Sequence, residues 1–114
     1  MPYLKISTNQ PMEQAKRENL LQQASSQVAE RLGKSEKYVM VELSFNPAMT
    51  FAGTTRPCAY VEMKSIGLVD TRTTELSAAI CKLLQTEMDI SPERTYIEFM
   101  DVPRKLWGWN SRTF

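Results

Sequence analysis

Histidine is missing altogether from the 114 residues of this sequence. Its absence removes the side chain most often used as a general base near neutral pH. Proton chemistry must then fall to a carboxylate, a lysine, a tyrosine, a thiol or the chain's own amino terminus. Cysteine is nearly as scarce, with Cys58 and Cys81 alone. The pair makes neither a disulfide framework nor a CxxC motif, and without histidine a structural zinc site is excluded. No apolar run approaches the roughly 20 residues of a membrane span, and the opening residues lack a secretory pattern. The formal net charge of +1 gives no electrostatic case for a nucleic acid or an anionic membrane as partner. Cytoplasmic residence is the default expectation, and secretion without a signal peptide would leave no mark here.

What is present is ordinary globular composition, 42% hydrophobic and 24% charged, enough for one domain over residues 1–114. The first half reads strand, helix, strand. "YLKIS" is rich in branched and aromatic side chains and predicts a strand. Leu21, Ala24, Val28 and Leu32 predict one helical face within a segment from Pro11 to Leu32, which Gly33 is placed to end. "KYVMVELSF" predicts a second strand. The order then repeats: "CAYVEMKSI" as a strand, a helix over Thr71–Met88, and "RTYIEFMDV" as a strand. The joints "SEKYVMVEL" and "SPERTYIEF" resemble each other, which suggests a duplicated β-α-β unit.

Two such units, each with parallel strands and a right-handed crossover, predict an α+β, two-layer fold. Its four-stranded sheet carries both helices on one face. The second and fourth strands are apolar on both sides, with Tyr38 and Met40 opposite Val39, Val41 and Leu43, and Tyr96 and Met100 opposite Ile97 and Phe99. Two helices cannot cover both faces, so self-association is expected. The closing "PRKLWGWNSRTF" carries two tryptophans and a terminal phenylalanine, which predicts a packed tail or a pocket wall. Its "PRK" reads as a solvated turn.

Pro2 behind Met1, "MTFAGTTRPCA", "KSIG", "ISPERTYI" and "GWNSRTF" occur in order from end to end. With these motifs the chain resembles the macrophage migration inhibitory factor branch of the tautomerase superfamily. The resemblance implies a homotrimer whose sheets face a central channel, and keto–enol tautomerisation of phenylpyruvate-like or dopachrome-like compounds without cofactor or metal. Pro2, exposed once Met1 is removed, would be the catalytic base. An α-amino group starts at a pKa of roughly 7.7–8.0, and burial or a nearby cation lowers it further.

By the same resemblance Lys34 would hold the carboxylate of a small aromatic α-keto acid, and Ser65-Ile66 would offer the Ile66 backbone N–H. Tyr96 would come from the adjoining subunit, while Tyr38, Trp109 and Phe114 would wall the pocket. Glu98 stands where the family pattern has a neutral amide, and so bears on how an anionic substrate sits. Tyr3, Lys64 and Trp107 are further departures, and "CAYV" keeps only the first thiol of the family's CxxC. The alternative the resemblance carries is a cytokine-like interaction protein with a protein receptor and a weak site.

Overall fold

Two β-α-β units follow one another, as the periodicity predicts, in a computed structural model that describes residues 1–114. The first comprises β1 (Tyr3–Thr8), α1 (Gln14–Leu32) and β2 (Met40–Phe45). The second comprises β3 (Ala59–Ser65), α2 (Thr73–Met88) and β4 (Thr95–Asp101), followed by a small hairpin of β5 (Gly108–Trp109) and β6 (Arg112–Thr113). The repeated joints form the same local structure: single 3-10 turns at Glu36–Tyr38 and Pro92–Arg94 each lead into a strand. Tyr38 therefore lies in a turn and not in β2, which starts two residues later.

α1 begins at Gln14, directly after Glu13 in extended conformation, and it buries Leu20, Ala24 and Val28. The i, i+4 spacing of these three sets the buried face one residue before Leu21, which is only half-buried. Complete burial of a leucine such as Leu20 contributes about 1.5–3 kcal/mol. Gly33 stops the helix at φ 63°, where its own N–H donates to the Glu30 carbonyl and that of Lys34 to Ala29 at 2.9 Å. This cap fixes the backbone from which the Lys34 side chain departs.

The sheet order is β2-β1-β3-β4. β1 runs parallel to β2 and β3 parallel to β4, while β1 and β3 meet antiparallel. Leu4, Ile6, Val61 and Met63 of the central strands are buried with Leu76, Ile80, Leu83 and Leu84 of α2 and with the buried face of α1. Both helices thus cover one face. Across the other face run three rows: Met40–Tyr3–Lys64–Met100, then Glu42–Lys5–Glu62–Glu98, then Ser44–Ser7–Tyr60–Tyr96. Nothing in the chain covers it, and Met40 and Tyr96 are about two-thirds exposed, at 65% and 64%. Within the face the Tyr3 hydroxyl donates to Glu42 at 2.6 Å, a bond that with burial pushes the phenol up to about 12. No helix is long and apolar enough to cross a membrane.

Candidate active site

A proline at the head of a strand forfeits no ladder hydrogen bond, since it has no N–H to donate. Pro2 uses this position fully: it is buried, and its carbonyl accepts from the Met40 N–H at 3.0 Å, tying the start of β1 to β2. Beside it opens a cavity of about 320 Å³ lined by Pro2, Lys37, Tyr38, Trp107, Trp109 and Phe114, with Met1 at its edge. Three of the expected aromatic walls therefore meet Pro2 within a single chain. Another cavity, of about 300 Å³, lies between α1 and α2, but its lining is mainly polar and contains no aromatic residue.

The walls hold one another in place. Tyr38 packs edge-on against Trp109 at 5.3 Å and against Phe114 at 6.0 Å, while Trp109 and Phe114 stack at 5.5 Å. Trp109 reaches this position on the β5–β6 hairpin, whose two-residue turn places Asn110 at φ 50° and Ser111 at φ 63°. Both central residues are left-handed, as a tight hairpin of this twist requires, and Asn110 tolerates that region better than most residues. The Phe114 N–H closes the tail by donating to the Trp107 carbonyl at 3.2 Å.

The electrostatics centre on the amino terminus. While Met1 is attached, the Pro2 nitrogen is an amide without basicity, and the terminal amine is that of Met1. Burial pushes this amine below its ordinary 8.0, and the positive charges of Lys34 and then Arg104 push it the same way. Lys34 thus lies within electrostatic reach of the terminus, as expected. Arg104 was not expected: "PRK" read as a solvated turn. It does form an exposed 3-10 turn, but one that bends back toward the head of β1.

The remaining expected residues fall into two sets. Ser65 and Ile66 are buried at the end of β3, one step beyond the Tyr3–Lys64 pair and so level with Pro2. Tyr96 and Glu98 are not brought to Pro2. Because β4 runs antiparallel to β1, Tyr96 sits five positions along β4 from Asp101, the partner of Ser65, or roughly 17 Å at strand rise. There it packs against Phe51 at 4.8 Å, and Glu98 points out on the same open face, beside Tyr60. Both lie on the open face of the sheet, where Tyr96 is 64% exposed.

Phe51 leads to a structural element that the periodicity gave no means of finding. Arg94, 8% exposed, donates to the carbonyls of Pro57 and Phe51 at 2.9 Å, Arg56 at 3.0 Å and Thr54 at 3.2 Å, with its guanidinium over the Phe51 ring. Asn9, the residue after β1, meets the same loop, donating to the carbonyls of Thr55 and Arg56 and accepting from the Cys58 N–H. The segment "TFAGTTRPC" is thus gathered around two buried polar heads.

The profile of the macrophage migration inhibitory factor family matches residues 1–114, the whole of this arrangement. The chain belongs to the macrophage migration inhibitory factor family. A macrophage migration inhibitory factor homolog of Brugia malayi is 39% identical over 115 aligned positions, spanning all of this chain and 99% of the relative. The factor of Rattus norvegicus is 35% identical with the same coverage. Among solved structures, the homologue from Prochlorococcus marinus superimposes with a TM-score of 0.92 at 46% identity over 98% of each chain. The Toxoplasma gondii factor reaches 0.93 at 29% identity, covering 98% of this chain and 99% of its own. Family membership and the two-helix, four-stranded fold read from the motifs are therefore correct. Within this family frame the sequence reading missed Lys37 and Val39, which line the cavity, and Arg104, whose charge acts on the Met1 amine. Their signal lay only in the turns that carry them.

Proposed function

We propose that the protein is a cofactor-free keto–enol tautomerase acting on aromatic α-keto acids such as phenylpyruvate, with Pro2 as its base once Met1 is removed. The observation that carries this reading is the buried Pro2 at the head of β1 opening onto an aromatic-walled cavity, in surroundings where burial and the Lys34 charge already lower the neighbouring Met1 amine. The neutral Pro2 nitrogen takes a proton from the carbon next to the substrate carbonyl. The C–H electron pair becomes the new carbon–carbon double bond, and the carbonyl pair moves onto oxygen. Lys34 holds the substrate carboxylate, and the Ile66 N–H supports the enolate oxygen; the protonated Pro2 then returns its proton to that oxygen, which completes the enol and restores the neutral base. A homotrimer completes the site. The exposed Met40, Tyr60, Tyr96 and Met100 face is covered by neighbouring subunits, which deliver Tyr96 and Glu98 to the adjacent cavity.

The pH dependence tests the base directly. Burial and Lys34 disfavour protonation of the Met1 amine, and the Pro2 amine that replaces it is expected to meet the same surroundings, so kcat/KM for phenylpyruvate rises with pH along one ionisation centred below 8.0 and is flat above it. Lys34→Gln moves that limb upward. The assay uses protein whose intact mass shows that Met1 is absent. An acidic limb centred above 8.0, or no turnover by such protein, rejects the proposal. For the assembly, light scattering is expected to give about three times the 13.1 kDa chain mass, and a stable monomer would refute it.

A further inference from the structure

The two helices pack on the sheet side by side, and the hollow of about 300 Å³ between them plays no part in the chemistry at Pro2. Its volume is at the lower end for a small-molecule site, roughly 300–1,000 Å³. None of its lining residues borders the Pro2 cavity. It lies on the helix side of the sheet, so covering the opposite, open face leaves it accessible.

Charge in this hollow is sorted along its length. The helices run antiparallel, because the Arg72 guanidinium donates to the Arg31 carbonyl while Asn19 and Gln23 meet Glu87. Gln23 and Arg31 are eight residues apart on α1, or roughly 12 Å at helical rise. At the Gln23 end the Glu87 carboxylate accepts from two amides, at 3.1 Å from Gln23 and 3.4 Å from Asn19. Arg31 at the other end, and Lys82 between Ala79 and Glu87 on α2, line the hollow without an ion pair, since the single ion pair of the chain is Arg72–Glu75. Two cations against one carboxylate leave the lining at +1, which a single monoanionic head neutralises.

Below the hollow the packing is incomplete. A void of about 10 Å³ reaches down between the helices to Leu4 and Met63 of the sheet, and eight of its ten lining residues are hydrophobic. Water needs two to four polar partners and finds few here. Gln27, Arg31, Ala79 and Leu83 border both spaces, so the charged hollow and the apolar slot are continuous along a shared wall.

We propose that this cleft binds a small carboxylate bearing a short alkyl tail, with its head between Arg31 and Lys82 and its tail in the slot. The Arg31 fork can take both carboxylate oxygens, and Lys82 adds a point charge. A dianionic head would exceed the net charge of the lining and meet Glu87 as a repulsive neighbour. The site is independent of the proline chemistry and involves no covalent step.

The test titrates acetate, butyrate, hexanoate and hexyl phosphate into the full chain and follows backbone amides by NMR. Shifts at Gln27, Ala79 and Leu83 report the cleft, and shifts at Trp109 report the Pro2 cavity separately. Each buried methylene is worth about fourfold in affinity, so hexanoate should bind the cleft about tenfold tighter than butyrate. Arg31→Gln should weaken hexanoate about 10- to 100-fold, the effect of losing a hydrogen bond from a charged donor. Glu87→Gln should tighten it, and Ala79→Leu, which fills the slot, should abolish the difference between hexanoate and butyrate. Circular dichroism checks the fold of each variant; the Arg31 and Glu87 variants decide the matter if Ala79→Leu unfolds. Equal affinity for acetate and hexanoate would mean attraction to surface cations alone and would overturn the proposal. So would shifts confined to Trp109, no shift at the three cleft amides, unchanged binding in Arg31→Gln, or tighter binding of hexyl phosphate than of hexanoate.

Discussion

Inserting one alanine between Met1 and Pro2 is expected to lower phenylpyruvate turnover about 10²- to 10⁴-fold, the range a positioned general base contributes. After Met1 is removed, the inserted residue would acylate the Pro2 nitrogen and make it an amide, the same bonding Met1 imposes. The free amine would move out by one residue, about 3.8 Å between α-carbons. Displacement of a catalytic group by a single ångström already lowers rates by roughly a hundredfold. The fold should be untouched, because the Pro2 carbonyl still accepts from Met40 and β1 keeps its register. Circular dichroism and light scattering check this control. Pro2→Gly, which loses the ring that fixes the nitrogen, should fall in the same direction. Full turnover by the alanine insertion, or equal rates for wild type and Pro2→Gly, would show that some other group takes the proton.

The second large effect is on stability. Arg94→Met is expected to destabilise the protein by about 3–5 kcal/mol, since hydrogen bonds from a charged donor contribute about 1.5–3 kcal/mol each and stranded acceptors add to the loss. Four carbonyls of the 51–57 segment converge on the one guanidinium, and no carboxylate shares it. Methionine keeps much of the stem volume and offers no donor. Arg94→Lys should recover only part of the loss, because a point charge cannot reach four acceptors as the planar fork does. Denaturant unfolding measures both variants. A shift below about 1 kcal/mol for Arg94→Met would mean that water replaces the guanidinium freely, as it does for a surface group.

The fold was legible because its signals are local. Apolar residues four apart mark α1, alternation marks the strands, and Gly33 marks a stop. The errors have physical reasons. "KYVMVELSF" looks like continuous strand because Tyr38 and Val39 favour strands, yet the Glu36–Tyr38 turn takes Tyr38 out of the ladder and points it at Trp109. Leu20 and Leu21 are identical in character, and only the position of α1 against the sheet decides which is buried. At the site, Pro2, Tyr38, Trp109 and Phe114 could be named from motifs and do meet. Tyr96 and Glu98 could be named too, but a single chain does not carry them to Pro2. Arg104 was illegible in kind. An exposed arginine in a Pro-led turn has no local feature that distinguishes it, and its reach to the terminus depends on where β4 ends. Arg94 escaped for the same reason, since its four acceptors are 37 to 43 residues away in sequence.

The antiparallel meeting of β1 with β3 means that a half-turn about the sheet normal exchanges the two β-α-β units. The starts of β1 and β3 are then equivalent addresses in one pseudo-symmetric frame. At the first, buried Pro2 borders an aromatic-walled cavity; at the second, the incoming segment is tied down by hydrogen bonds to Arg94 and Asn9. One scaffold used twice thus presents a hollow at one address and a polar fastening at the other.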